Sequence, residues 1–331
     1  VGIRVAVLGV GAVGTRVARQ LVSSPDVSQV VLRDERRSRV ATVVTSLGPT
    51  AVADDGAWTT PLVADAVVAC GPAGTHAAAA RAALDAGQAF VSVSDDIADV
   101  RALLELDLEA RERGVSMVAG AGFSPGLTCV LAAHAASKFD AVDEIHVASV
   151  GTGGPACARQ HHAALSGISV DWRDGGWSER RAGSGRELCW FPDPVGGRDC
   201  YRAAVPDALL LAPVFVGVAR VTARVAATRR DRLTAGLPMM RPPHPEGGPG
   251  AVRVEVRGRR GNVHDALVFG AIDRPAVATG AVAAVTARLA VQGQLRRAGM
   301  AGLAEMADPV PFLAELRRRG VRAAAFHAAA L

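Results

Sequence analysis

The sequence predicts an α/β protein, with an N-terminal doubly wound parallel sheet followed by a second α+β domain built on a mixed or antiparallel sheet. Three observations carry this. Short apolar runs alternate with helical patterns from Ile3 to Ala119, a glycine-rich turn joins the first run to the first helix, and the texture changes after Gly126.

Taken in order, Ile3 to Leu8 reads as a buried strand, Gly9 to Gly14 as a glycine turn, Thr15 to Val22 as a helix and Val27 to Leu32 as a second strand. The alternation continues with a helix from Arg37 to Ser46, strands at Thr50 to Ala53 and Ala66 to Ala69, and a helix from Thr75 to Ala86. A strand from Ala89 to Val93, a helix from Ile97 to Arg113 and a strand from Val115 to Ala119 complete it. Beyond Gly126 a helix from Leu127 to Lys138 leads to Glu144 to Val150, which alternates polar and apolar like a strand with one wet face. Val218 to Ala226, Val252 to Arg257 and His264 to Ile272 are further strands, the last two paired antiparallel through Gly258 to Asn262. Pro238 to Gly250 is a long loop, and the helices Pro275 to Val291 and Val310 to Arg319 return to the first domain. The expected boundaries are 1–126 for a dinucleotide-binding domain, 127–274 for a substrate and dimerisation domain, and 275–331 for the returning helices.

The chain has 331 residues, half of them apolar, and a net charge of +5 carried almost wholly by arginine, since Lys138 is the one lysine. The arginines are scattered, the clusters at Arg36–Arg39 and Arg317–Arg319 are short, and aromatics are few, so nucleic-acid binding is not expected. No apolar stretch reaches the roughly 18 to 20 residues that cross a bilayer, and the N-terminus opens directly into a strand, so a cytoplasmic location without membrane contact is expected. Five scattered cysteines, with no Cys-x-x-Cys pair, give neither a disulfide framework nor a zinc knuckle, and no metal is expected.

Gly9-x-Gly11-x-x-Gly14 follows a strand and opens a helix, the context in which this spacing binds a dinucleotide. Gly9 permits the tight turn, Gly11 lets the backbone approach a pyrophosphate beside Val13, and Gly14 allows close helix–strand contact. Asp34, 20 positions beyond Gly14, is placed to accept hydrogen bonds from the adenosine ribose and to repel a 2′-phosphate. Arg33, Arg36 and Arg37 crowd the same strand end and suit a 2′-phosphate, unless they are a solvated helix face. The cofactor is therefore NAD or NADP, with NAD favoured.

From the fourth strand onward the chain resembles the saccharopine dehydrogenase (saccharopine reductase) family. Three stretches carry the resemblance: Cys70-Gly71-Pro72-Ala73-Gly74-Thr75-His76, then Ala86-Gly87 with the strand leading to Ser94, Asp95 and Asp96, and Gly120-Ala121-Gly122-Phe123-Ser124-Pro125-Gly126-Leu127. The C-terminal Gln292-Gly293, Phe312-Leu313 and Arg319-Gly320-Val321 are also similar, whereas Gly151 to Gly250 is unmatched. The resemblance implies that Cys70, Gly71, Pro72, Ser94, Gly122 and Phe123 line the cofactor, with the Pro-Gly loop facing nicotinamide and substrate. It also implies oxidoreduction at a carbon–nitrogen bond, either reduction of an imine or oxidation of a secondary amine, on a small substrate bearing amine and carboxylate groups.

Proton shuttling in such chemistry points to the polar cluster Cys157-x-Arg159-Gln160-His161-His162. Imidazole titrates near neutrality and suits general acid/base work, while arginine suits a substrate carboxylate. Adjacent helical residues point about 100° apart, so one of His161 and His162 faces a pocket, or both are surface residues. Cys157 reads as a small buried residue rather than a nucleophile. Asp171, Trp172, Arg173 and Tyr201 line the same cleft or belong to a core. Tyr201 lacks a lysine four residues on, no Glu-Lys-Pro appears and no phosphate loop of the NTPase type is present, which excludes three common alternatives. A dinucleotide-binding sensor or partner subunit without turnover, and a carbonyl or aldehyde dehydrogenase of homoserine-dehydrogenase-like architecture, stand as the other readings, with a homodimer open for either.

Overall fold

The computed structural model describes residues 2–239 and 242–326. The first half alternates as β1 (Ile3–Leu8), α1 (Ala12–Val22), β2 (Val27–Arg33), α2 (Arg37–Leu47), β3 (Ala51–Ala53), β4 (Ala66–Ala69), α3 (His76–Asp85) and β5 (Ala89–Ser92). It continues through α4 (Ile97–Leu104), α5 (Asp107–Glu112), β6 (Ser116–Val118) and α6 (Leu127–Ala136). The second half holds β7 (Ala141–Val150), α7 (Pro155–Ala164), β8 (Ile168–Arg173), β9 (Gly176–Arg181), β10 (Glu187–Trp190), β11 (Gly197–Arg202), α8 (Asp207–Leu211), β12 (Arg220–Ala226) and α9 (Arg229–Thr234). It closes with β13 (Gly250–Arg260), β14 (Val263–Asp273), α10 (Pro275–Val291), β15 (Gly299–Ala301), α11 (Leu303–Met306), α12 (Pro309–Arg318) and β16 (Ala323–Phe326).

The first sheet has seven parallel strands in the order β15-β6-β5-β4-β1-β2-β3. β1 sends its chain to β2 on one side and finds β4 on the other, so the crevice beyond the carboxyl ends of β1 and β4 is the switch point where such sheets bind ligands. The strands are mostly apolar, with β4 and β5 buried along their whole length, because helices cover both faces. The second sheet is mixed, ordered β10-β11-β12-β7-β13-β14-β16, with β8 added on β12 and β9 on β8. Its long hairpin β13–β14 keeps register from Gly250↔Asp273 to Arg260↔Val263, a tighter turn than the predicted Gly258 to Asn262. α10 is buried on nearly every side, and a Cβ on Gly280 would stand 2.8 Å from the Arg16 backbone, so the glycine is what lets α10 press against α1.

Two predicted helices need correction. α1 starts at Ala12 and not Thr15, because Gly11 is already its N-cap and Gly14 lies inside its first turn. The expected helix Ile97 to Arg113 breaks into α4 and α5, because the Asp107 carboxylate accepts the Met300 N–H (2.8 Å) and Arg297 (2.7 Å) and turns the chain toward β15. Strands β8 to β11, β15 and β16 had no sequence signal. Among the described residues no helix is long and apolar enough to cross a membrane.

Candidate active site

The glycine turn has the shape that the motif requires. Gly9 adopts φ +89° with its α-carbon against Cys70, and a Cβ on Gly14 would lie 1.8 Å from the Gly9 carbonyl oxygen, so no other residue fits there. Gly11 is the opposite case: a Cβ there meets nothing within 4 Å. That open space lies at the N-terminus of α1, which has no side-chain cap and no acidic residue in its first turn. Its unpaired N–H groups and helix dipole are thus available to an external anion, and these residues fit a dinucleotide pyrophosphate.

Asp34 stands beside this turn with its side chain 10% exposed. Its Oδ2 accepts the Val10 N–H (2.7 Å) and its Oδ1 the Arg36 N–H (2.9 Å), so it braces the glycine turn while keeping lone pairs for a ribose. Arg33 does not belong to the cofactor set. It is 2% exposed, its guanidinium pairs with Asp54 (2.6 Å) and its N–H groups go to the carbonyls of Ala57 and Thr60. A guanidinium so engaged is a strut for the loop after β3, with four of its five N–H groups already met inside the protein. Arg36 and Arg39 are the basic side chains near Asp34, Arg39 lying 3.5 Å from it.

Where the crevice meets the second domain it widens into a cleft of about 470 Å³. From the first domain Val13, Cys70, Gly71, Pro72, Ser94, Asp95, Gly122, Phe123 and Ser124 line it, and from beyond it Arg159, Gln160, His161 and Thr279. A buried network fixes the first of these walls. His76 Nε2 donates to the Gly71 carbonyl (3.1 Å), so its Nδ1 accepts from Ser92 Oγ (2.9 Å); Ser94 Oγ donates to Asp99 (2.8 Å), whose other oxygen accepts the Gly74 N–H (3.0 Å). Burial outweighs the nearby Asp99 charge and keeps the His76 pKa below its usual value, in line with a neutral, bridging ring. The Pro-Gly loop is held by Thr279 Oγ1, which accepts the Phe123 N–H (3.1 Å), and by the buried Asp207, which accepts from Ser124 (3.1 Å) and Thr128 (2.8 Å). Thr279 and Asp207 escaped sequence reasoning, although an acid in the apolar run Val205 to Leu211 was a signal for a buried carboxylate.

The second wall is α7. Its loop from Gly151 to Gly154 packs onto α1: a Cβ on Gly154 (φ +129°) would stand 2.6 Å from the Ala12 Cβ. Gln160 donates to Asp96 (2.8 Å), and His161 Nε2 lies 3.0 Å from Asp95 Oδ2, with the Cys157 sulfur 3.9 Å from that same oxygen. Burial draws the His161 ring toward its neutral form, but Cys157 and the Asp95 carboxylate more than offset it and hold its pKa well above the ordinary value. The donor atoms of Asp95, Cys157 and His161 all lie within 4.8 Å of one another, a set of zinc-ligand types; an ion there would have to displace the proton that His161 shares with Asp95. His162 turns the other way, its Nε2 on the carbonyls of Thr234 (2.8 Å) and Leu237 (3.2 Å), where it secures the end of α9. Arg159 is exposed at the rim and has no carboxylate partner among the described residues.

Residues 3–113 match the oxidoreductase family with an NAD-binding Rossmann fold, Gfo/Idh/MocA. The N-terminal domain is an NAD(P)-binding Rossmann domain of the oxidoreductase type. No curated protein sequence matches the chain. Among solved structures, apo saccharopine dehydrogenase (L-Glu forming) from Saccharomyces cerevisiae aligns with TM-score 0.70 at 14% identity, covering 98% of this chain and 100% of its own. DAP dehydrogenase of C. glutamicum in complex with DAP aligns at 0.51 and 16% identity, covering 94% and 95%. GenD2 from gentamicin A biosynthesis, in complex with NAD, aligns at 0.50 and 18% identity, covering 99% and 97%. These likenesses show that both domains, and not the Rossmann half alone, share the fold of these structures.

Proposed function

We propose that the protein is an NAD(P)-dependent oxidoreductase acting at a carbon–nitrogen bond of a small substrate that carries amine and carboxylate groups. The observation that carries this reading is the His161–Asp95 pair, set in a cleft between the cofactor loops and a rim arginine, Arg159, that has no carboxylate partner among the described residues. Two neighbours whose names denote amino-acid dehydrogenases, the saccharopine and DAP enzymes, support it by analogy of fold.

Bound across the glycine turn, a nicotinamide dinucleotide supplies hydride transfer. Gly11 and the N-terminus of α1 receive its diphosphate, and Asp34 its adenosine ribose. Arg159 attracts the substrate carboxylate, a charge-assisted contact of about 1.5–3 kcal/mol. The His161 imidazolium gives a proton to the hydroxyl that leaves a carbinolamine, and Asp95 holds the ring in position and balances its charge before transfer. A protonated imine is already electrophilic, so the walls of the cleft need mainly to orient it and exclude water.

The test is turnover of purified protein with NADH or NADPH and a panel of amine and keto-acid pairs. Oxidation of the cofactor that needs both partners is expected, with Arg159→Met raising KM for the carboxylate partner and leaving cofactor affinity near the parental value. Turnover with aldehydes or ketones alone, and none with the pairs, overturns the reading in favour of a carbonyl dehydrogenase.

A further inference from the structure

We infer that Ser124 is a specificity-determining hydrogen-bond acceptor for the N–H of the substrate amine, and that Asp207 is the positioning residue that makes it one. This rests on the amine-substrate reading above and adds the atom that recognises the nitrogen.

Asp207 is 1% exposed, and its Oδ1 lies 3.1 Å from Ser124 Oγ and 2.8 Å from Thr128 Oγ1. Its Oδ2 is buried and has no hydrogen-bond partner among the described residues, so this carboxylate is not fully satisfied inside the protein. Both hydroxyls donate to Oδ1, so both hydroxyl hydrogens point inward at the carboxylate. Of these two hydroxyls Thr128 is fully buried, whereas Ser124 lines the cleft. With its hydrogen committed, Ser124 Oγ has only lone pairs to offer there. The loop that carries it is held by Phe123 N–H to Thr279 and by Gly122 N–H to the Pro125 carbonyl (2.8 Å), so the oxygen is presented at a fixed point.

The opposite wall offers donors, the Arg159 guanidinium and the His161 ring. A carboxylate or carbonyl has no hydrogen for Ser124 and is drawn to those donors. An ammonium or protonated imine has one, and is the group that Ser124 can accept from. The cleft thus sorts the two ends of an amino-acid-like molecule: oxygen toward α7, nitrogen toward the Pro-Gly loop.

Calorimetry on the cofactor-loaded full chain tests this with α-amino acids, each paired with its des-amino carboxylate, beginning with L-glutamate and glutarate. The parental protein is expected to favour the amino acid by about tenfold or more. Ser124→Ala should bring the pair to within about twofold by weakening the amino acid alone, Ser124→Thr should restore the preference, and Asp207→Leu should behave like Ser124→Ala at unchanged dinucleotide affinity. Thr128→Val, which removes the other hydroxyl, should keep the parental ratio. Full discrimination in Ser124→Ala overturns the inference, as does a collapse in Thr128→Val equal to that in Asp207→Leu. A parental protein that binds none of the amino acids brings down the amine reading itself, and this inference with it.

Discussion

Nε2 of His161, on the first helix of the second domain, lies 3.0 Å from Oδ2 of Asp95, on the loop after β5 of the first. The pair spans the seam at the cleft, so it is a contact between domains and, in the proposed reaction, the source of a proton. Replacement by His161→Gln should lower turnover by roughly 10²-fold with little change in dinucleotide affinity, as steady-state kinetics and calorimetry would show.

The same pair makes stability depend on pH. The folded-state pKa of His161 lies above its ordinary 6.5, so its contribution is fully present below about 6.5 and is lost as pH rises through the raised folded value. The Tm difference between the parental protein and His161→Gln should therefore be largest below about pH 6.5 and shrink as pH rises above it. A difference that grows with pH would mean that the ring is neutral in the fold.

Gly11 and Gly14 should fail in different ways. Gly11→Val adds atoms only to open space in the protein, so the variant should fold and lose dinucleotide binding by 10²-fold or more, an order-of-magnitude expectation from blocking the pyrophosphate. Gly14→Ala puts a methyl 1.8 Å from the Gly9 carbonyl and should lower Tm as well. Equal thermal stability and equal affinity loss in both would contradict this separation.

Arg33→Leu should destabilise the protein and leave cofactor preference alone. Removing the buried guanidinium strands two carbonyls and an Asp54 that is a third exposed, a loss of about 2–3 kcal/mol by urea unfolding. A changed NADH to NADPH ratio would return Arg33 to the cofactor site.

Asp34→Ser should shift relative affinity toward NADPH by about tenfold, on the order of 1–2 kcal/mol, by removing a like charge. Because the carboxylate also accepts the Val10 N–H, affinity for both cofactors should fall. Titration of each cofactor separates the two effects, and an unchanged ratio would place cofactor choice with Arg36 and Arg39.

The dinucleotide half was legible in the sequence because its signals are local. A six-residue, largely apolar strand, glycines at fixed spacing and an acid at the next strand end each impose their conformation within one βαβ unit. The Cys157 to His162 cluster was also visible as chemistry, but which histidine served the cleft was not. That depends on the rotation of α7, which the packing of Gly153 and Gly154 against Val13, Ala12 and Ala276 sets. Arg33 read as a cofactor ligand for the same reason: its neighbours in sequence are exposed, and only the loop from Asp54 to Thr60 folding back over it shows that its charge is met inside the protein. Asp95 with His161, Thr279 with Phe123, and Asp207 with Ser124 are separated by 66, 156 and 83 positions, and no periodicity reports such distances. Local rules thus wrote the scaffold and the cofactor turn, while burial and long-range hydrogen bonding, which exist only once the two sheets close on each other, decided which polar groups were left facing the cleft.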